Sequence, residues 1–381
     1  MLIRKKILIL VDWFVPGFKA GGPIRSCVNI CNTLKNDYDI YVLTTDTDHG
    51  EIIPYENIIT DDWVFVETLG IHIYYAQRKK ISIKQIATQI TFINADYIYL
   101  NHLFSPYFSV YPLWLKLSGK MKNKVIVAPR GALYDSALSL KIYKKKPLLH
   151  IYKWLGLQQK IIFHATNIRE QQAITQYFKG STSIIADNLP ASNQPSFTGH
   201  FKESGKLKCI FIARIVPIKN LLYLLEILQS LQQEILLTII GPVEDELYWQ
   251  ACKNIIKSMP EHIVVNYVGP KQNEELPYLI QQHHLFILAT TGENFGHSIF
   301  EALLNGRPIL ISDQTPWLNL QELNAGWDIP LDRPEKFAEK IVTMAMYDQI
   351  EFDKIAGGAW QFANNFINNS AAKQQYYKMF K

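Results

Sequence analysis

Short apolar, β-rich runs recur along this chain with room for a helix between them, and the series occurs twice. The first series is KILILV from Lys6, DIYVLTT from Asp39, YIYLNH from Tyr97 and KVIVAPR from Lys124. The second is KCIFIARI from Lys208, ILLTIIG from Ile235, IVVNYVG from Ile263, LFILAT from Leu285 and PILIS from Pro308. Helical patterns fit between the runs, for example Pro23 to Leu34 and Asn220 to Gln232. Such alternation predicts βαβ units and parallel sheets. Between the two series, residues 186–206 are rich in proline, glycine and small polar residues, which predicts a linker near residue 195. The 381 residues suit two domains. Open α/β sheets gather ligands at the carboxyl ends of their strands, so two facing domains predict a site in the cleft between them.

The bulk numbers narrow the partners. A chain with 48% hydrophobic and 19% charged residues is globular rather than disordered. The net charge of +5 suits an anionic ligand or a membrane surface, and is equally compatible with neither. The lysines and aromatics form no nucleic-acid reading motif. Cys27, Cys31, Cys209 and Cys252 form no CxxC pair, and no His/Cys cluster has zinc spacing. A reducing compartment without a structural metal is expected. Arg4, Lys5 and Lys6 precede ILILV in the manner of a signal peptide, but Asp12 interrupts the apolar run. A buried first strand fits better. No window reaches the roughly 18 apolar residues of a spanning helix. The expected location is cytoplasmic, or peripheral on the inner face of the plasma membrane.

Three segments of the second half could carry chemistry. In FIARIVPIKN, Arg214 and Lys219 follow a strand end, where two cations can neutralise an anion. Cations at a helix start oppose the helix dipole, so a merely solvated role is slightly costly. In TTGENFGHSIFEALLNGRPILIS, Gly292 and Gly296 bracket a loop that feeds a helix near Ser298. A glycine loop at a helix N-terminus offers backbone N–H groups to a phosphate. Glu293 lies in that loop and Glu301 in the first helical turn; Ser298 and Glu301 also match a capping box. YVGP, Tyr267 to Pro270, sets a strand end and tight turn where a base could stack.

Together these segments resemble the retaining glycosyltransferase family four, also called group 1, with its GT-B fold of two tandem Rossmann-like, parallel-sheet α/β domains facing across a cleft. Arg214 and Lys219 in RIVPIKN carry the resemblance, with the Glu293–Glu301 frame in GENFGHSIFEALLNGRP. PWLNLQELNAGW, 316–327, resembles the family's usual continuation. The resemblance implies an acceptor-side domain at 1–196 and a nucleotide-sugar domain at 197–361, with a last helix at about 362–381 packing back on the first domain. It implies that Arg214 and Lys219 hold the donor diphosphate and that Glu301 accepts from the ribose hydroxyls. Glu293 would contact sugar hydroxyls, and backbone around Phe295, Gly296, His297 and Ser298 would reach sugar and phosphate.

In the first half, Gly21 and Gly22 precede Pro23, which can open a helix. In the family the matching glycine loop lies against donor phosphate and acceptor. Arg25 is a further candidate anion contact. His102 in NHLFSP and Arg130 in APRGAL close two strands and are candidate catalytic groups; Arg130 stands where other family members have an active-site histidine. Lys141, Lys144, Lys145, Lys146 and Lys153 interleave with Tyr143, Leu148, Leu149, Tyr152 and Trp154, although Pro147 interrupts the pattern. That basic, aromatic surface, Lys141–Trp154, suits an anionic membrane at about 1 kcal/mol per lysine.

The expected reaction is transfer of a hexose-type sugar from a UDP- or GDP-sugar to a glycan or lipid-linked acceptor, with retention. The expected context is lipopolysaccharide, capsule or exopolysaccharide synthesis. No cofactor or metal is expected, because the Asp46-Thr47-Asp48 string lies in the first domain, away from the donor residues. Two alternatives stay open: a nucleotide-sugar epimerase of the same fold, and a non-catalytic GT-B partner protein.

Overall fold

A computed structural model describes residues 4–139, 142–190 and 195–381, apart from the side chains of 136 and 139. The chain separates into two compact units. Unit 1 comprises Met1–Ser192 and Ser370–Lys381; unit 2 comprises Asn193–Asn369.

Unit 1 is built on the strands β1 (Lys6–Leu10), β2 (Asp39–Thr45), β3 (Trp63–Val66), β4 (Ile71–Ala76), β5 (Tyr97–Leu100), β6 (Lys124–Val127), β7 (Ile162–Ala165) and β8 (Thr182–Ile185). Their order is β3-β4-β2-β1-β5-β6-β7-β8. All neighbours pair in parallel except β3, which runs antiparallel along β4 at the edge. An edge strand can return by a short turn because no crossover helix is needed. The helix Gly22–Leu34 buries Ile24, Cys27, Ile30, Cys31 and Leu34. The terminal helix Ala372–Met379 adds Tyr376, and Phe380 follows it into the same core as β1.

Unit 2 has the strands β9 (Lys206–Ile212), β10 (Glu234–Ile240), β11 (Ile263–Tyr267), β12 (Leu285–Leu288), β13 (Ile309–Ser312) and β14 (Gly326–Ile329). The order is β11-β10-β9-β12-β13-β14, parallel throughout. The four residues of β12 and of β13 are fully buried, the continuous apolar pattern of strands covered on both faces. In each sheet the chain leaves its first strand on one side and later returns on the other. That makes a switch point, the place where open α/β sheets bind ligands, beyond the carboxyl end of β1 in unit 1 and of β9 in unit 2.

The division between units falls earlier than the expected 196/197. Trp360 Nε1 donates to Pro195 O at 3.1 Å, and Arg307 Nη1 donates to Thr198 O at 3.2 Å. Lys202 is 3% exposed, and its ammonium donates to Glu203 O (2.7 Å), Ala345 O (2.8 Å) and Tyr347 O (3.1 Å). The carbonyls of Ala345 and Tyr347 lie at the end of the helix Pro334–Met346, where a cation meets the negative pole of the helix dipole. Residues 195–202 are therefore sewn to unit 2. Likewise the helix Gln349–Asn369 stays in unit 2, with Phe366 packed 5.1 Å from Trp317 and 5.4 Å from Phe300. Residues 362–369, expected on the first domain, are held by that aromatic cluster.

Candidate functional site

Unit 2 assembles the residues that resemblance singled out. After β9 the backbone turns at Ala213 and Arg214 against Gly241, which follows β10. Gly241 has φ 145°, and a Cβ there would lie 1.9 Å from Ala213 O, so glycine is required. Ile215 N–H donates to Pro242 O (2.9 Å), and Glu244 N–H donates to Ile215 O (3.3 Å). Arg214 Nη1 then donates to both carboxylate oxygens of Glu244, at 3.0 and 2.9 Å. Tyr267 OH donates to Gly241 O at 2.9 Å while its ring packs 4.8 Å from Trp249. Tyr267, in the YVGP segment, thus braces the Arg214 turn.

Lys219 and Glu293 meet across the switch point, after β9 and after β12. Lys219 Nζ donates to Glu293 Oε1, and the two side chains are 13% and 16% exposed. The loops are stitched together beneath them. Thr290 Oγ1 and Thr291 N–H both donate to Ile218 O at 2.9 Å, and Glu293 N–H donates to Gln314 O at 3.0 Å. Thr290 is fully buried.

Gly296, with φ 76° and ψ 67°, caps the helix His297–Leu304, without a side-chain capping bond. Ser298 and Glu301 both lie inside the helix, so the capping box does not form there. The first N–H groups of a helix have no intrahelical acceptor, and this helix starts directly from a glycine turn. Phe295 is 8% exposed and packs on Trp317 (5.1 Å), Phe300 (5.7 Å) and His297 (4.8 Å). Trp317 Nε1 donates to Phe295 O at 2.5 Å, which clamps the turn. Glu301 is the fifth residue of the helix and half-buried.

The other candidates sit at strand ends of unit 1. Gly21, φ 64°, precedes the helix Gly22–Leu34, in which Pro23 is the second residue. Asn101 joins this turn to Arg130: its Nδ2 donates to Pro23 O (3.2 Å), and its Oδ1 accepts from Arg130 Nε (2.9 Å). Arg130 has φ 56°, a left-handed conformation costly for a side-chain-bearing residue. Its Nη1 donates to Asn188 Oδ1 and its Nη2 to Tyr99 OH at 2.9 Å. Burial disfavours the charge, but Tyr99, Tyr376, Cys27 and Glu170 outweigh it and hold the guanidinium protonated. Burial and the Arg130 charge push His164 down to about 3, so it is neutral. Ala186 O at 2.7 Å accepts from Nε2, and Nδ1 therefore accepts from Tyr99 OH at 2.7 Å. Glu170, fully buried, accepts from Gly131 N–H (2.6 Å), Thr166 N–H (2.8 Å) and Thr166 Oγ1 (2.7 Å). Arg130 is thus the hub of a buried network that sequence did not show. His102 Nδ1 accepts from Phe104 N–H at 3.0 Å, and Arg25 is half-buried in its helix.

Asp46 and Asp48 organise loops. Asp48 Oδ2 accepts from Phe18 and Lys19 N–H at 2.9 and 3.1 Å, and Asp46 Oδ1 accepts from Arg78 N–H at 3.0 Å. Sequence also missed Glu244, whose one signal is its place in the loop after β10.

Residues 193–346 match the family model of glycosyl transferases group 1. The D-rhamnosyltransferase WbpZ of Pseudomonas aeruginosa is 23% identical over 233 residues, and the match spans 58% of each chain. Among solved structures, Anabaena HepE, in complex with UDP and glucose, is similar at TM-score 0.71 and 16% identity over 99% of both chains. Sucrose-phosphate synthase of Thermosynechococcus elongatus is similar at TM-score 0.73 and 13% identity, over 99% of this chain and 98% of that one. WaaG, a glycosyltransferase involved in lipopolysaccharide biosynthesis, is similar at TM-score 0.64 and 11% identity, over 98% and 99% of the two chains. The chain has the GT-B fold, and its second unit matches the group 1 glycosyl transferases.

Proposed function

We propose that this protein is a glycosyltransferase that moves a sugar from a UDP- or GDP-sugar to a glycan or lipid-linked acceptor, with retention of configuration. The observation that carries the reading is the convergence of Lys219 and Glu293 at the switch point of unit 2, between the Arg214 turn and the N-terminus of the helix His297–Leu304. Breaking a glycosyl–phosphate bond leaves negative charge on the diphosphate. Arg214, Lys219 and the helix N-terminus supply positive charge for it without a metal, and losing one such contact costs about 10² to 10³ in rate. Glu293, held by Lys219, accepts from hydroxyls of the donor sugar, and Glu301 from the ribose. For retention, a leaving phosphate oxygen takes the proton of the acceptor hydroxyl as it attacks on the same face. HepE, similar in fold, was solved with UDP-glucose; the likeness to the D-rhamnosyltransferase WbpZ favours sugar transfer, and that to WaaG, a glycosyltransferase involved in lipopolysaccharide biosynthesis, favours a role in cell-surface polysaccharide assembly.

Contact with an anionic membrane belongs to the same reading. Lys141 lies outside the described residues, but the helix Ile142–Trp154 is described. Leu149 and Tyr152 face its core, while Tyr143 (69% exposed), Ile151 (47%) and Trp154 (84%) face out. With Pro147 these fall within about 80° of one face. Exposed Lys144, Lys146 and Lys153 flank it. Aromatic and aliphatic groups between lysines suit a bilayer interface.

The test is transfer from UDP-, GDP- and ADP-sugars, with product configuration read by NMR. Arg214→Ala and Glu293→Ala should each lose at least about 10²-fold in rate. Full activity in both variants would overturn the donor-site assignment, and an inverted product would remove retention.

A further inference from the structure

The switch point of unit 1 carries side chains that the donor-site reading leaves unused. β1 is flanked by β2 and β5. Asp12 and Trp13 follow β1, His49 follows β2 and Ser105 follows β5, so all four come from carboxyl ends at the crevice. Asp12 is held twice over. Its carbonyl accepts from Thr45 Oγ1 (2.6 Å), Thr45 N–H (3.3 Å) and Thr44 Oγ1 (3.3 Å). Its Oδ1 accepts from Ser105 Oγ at 2.7 Å, and Ser105 is itself 5% exposed. Among the described residues Oδ2 has no hydrogen-bond partner, and it is not one of the buried unpartnered atoms, so this half-buried side chain keeps it open to solvent. Trp13 is half-buried and stands edge-to-face with His49, centroids 4.3 Å apart. Burial pushes the Asp12 carboxyl up, against the Ser105 bond and the nearby Arg78 and His49.

A fixed carboxylate with one oxygen open, beside an indole braced by an imidazole, has two matching halves. The oxygen accepts from a hydroxyl in a charge-assisted bond. The ring offers an apolar face with little conformational entropy to lose. A sugar ring has the complementary halves: hydroxyls at its edge and C–H groups on its face. We propose that Asp12, Trp13 and His49 form a subsite for a sugar ring of the acceptor, with Asp12 Oδ2 accepting from a ring hydroxyl and Trp13 packing on its C–H face. That the bound sugar is an acceptor rests on the glycosyltransferase reading; that the site binds a sugar does not.

The test uses full-length protein and a panel of methyl glycosides of glucose, galactose, mannose, rhamnose and N-acetylglucosamine, followed by saturation-transfer NMR titration. Wild-type protein should bind at least one. Asp12→Asn and Trp13→Ala should weaken that binding about tenfold or more, and Ser105→Ala by less, since it frees only Oδ1. UDP, GDP and ADP binding, read by thermal shift, should be unchanged in the three variants, which reports folding and the donor site separately. No binding by the wild type, or wild-type affinity in both Asp12→Asn and Trp13→Ala, would overturn the subsite. Glycoside binding with this pattern, but no nucleotide binding by the wild type, would leave the subsite standing and remove the donor reading.

Discussion

Lys219 and Glu293, 74 residues apart in sequence, form an ion pair across the ends of β9 and β12, largely shielded from water. The partners are coupled: removing either leaves the other's charge poorly solvated. Glu293→Gln and Lys219→Ala should each lower the rate of sugar transfer by about 10² to 10³. The double variant should lose little more than the worse single one. Steady-state kinetics of the three variants measure this, and additive losses would show that the two residues act apart.

Gly296→Ala tests the helix N-terminus. The new Cβ would sit 2.7 Å from Ile299 Cδ1 at a φ of 76°. The left-handed backbone alone costs about 1–2 kcal/mol. A lower melting temperature and a tenfold or larger loss in nucleotide affinity should appear together. Unchanged affinity would place the diphosphate elsewhere.

Arg130→Met should act on stability before chemistry. It strips Asn101, Asn188 and Tyr99 of their shared donor and should destabilise unit 1 by about 3 kcal/mol. Urea unfolding reads the loss. A fully stable variant with abolished transfer would instead make Arg130 a group that touches substrate.

Stability should fall in mild acid. Burial, chiefly, pushes His164 and His284 down to about 3 and His283 to about 4. Each folded-state pKa is depressed below the unfolded value of about 6.5. The unfolded chain thus takes up protons below pH 6.5 that the folded chain refuses. Stability is complete above that pH and drains away as pH falls toward the folded values. Each histidine should cost about 1.4 kcal/mol by pH 5.5. Urea midpoints at pH 7.5 and 5.5 check it, and equal midpoints would show that these rings charge freely in the fold.

Membrane contact should follow the outer face of the helix Ile142–Trp154. Trp154→Ala with Lys146→Glu and Lys153→Glu should abolish co-flotation with vesicles of phosphatidylcholine and phosphatidylglycerol, at about 1 kcal/mol per lysine lost. The variant should keep its melting temperature, because all three residues are exposed. Flotation that survives these changes would exclude this face.

Local pattern was enough to mark the tandem α/β architecture and nine of its fourteen described strands. β2 spans the whole of DIYVLTT, and KILILV holds β1, because a strand covered on both faces must be continuously apolar. Glycine turns and prolines marked helix starts to within a residue: Gly22–Leu34 against an expected Pro23–Leu34, and His297 against Ser298. The strands β3, β4, β7, β8 and β14 were not among the predicted runs; β3, WVFV, is a half-exposed edge strand that lacks that continuity. Arg214, Lys219 and Glu293 were legible because each follows a strand, and strand ends meet at a switch point. What only the tertiary structure decided is which side chains pair there. Glu244 on Arg214, Trp317 on the Phe295 carbonyl, and the Arg130–Tyr99–His164 chain with its C-terminal neighbour Tyr376 join residues from 22 to hundreds of positions apart. Such contacts depend on sheet order and on depth of burial, which no local spacing encodes. Arg130 shows the reason most clearly: a strand-end arginine looks available to a substrate until the fold fills three of its nitrogens from within.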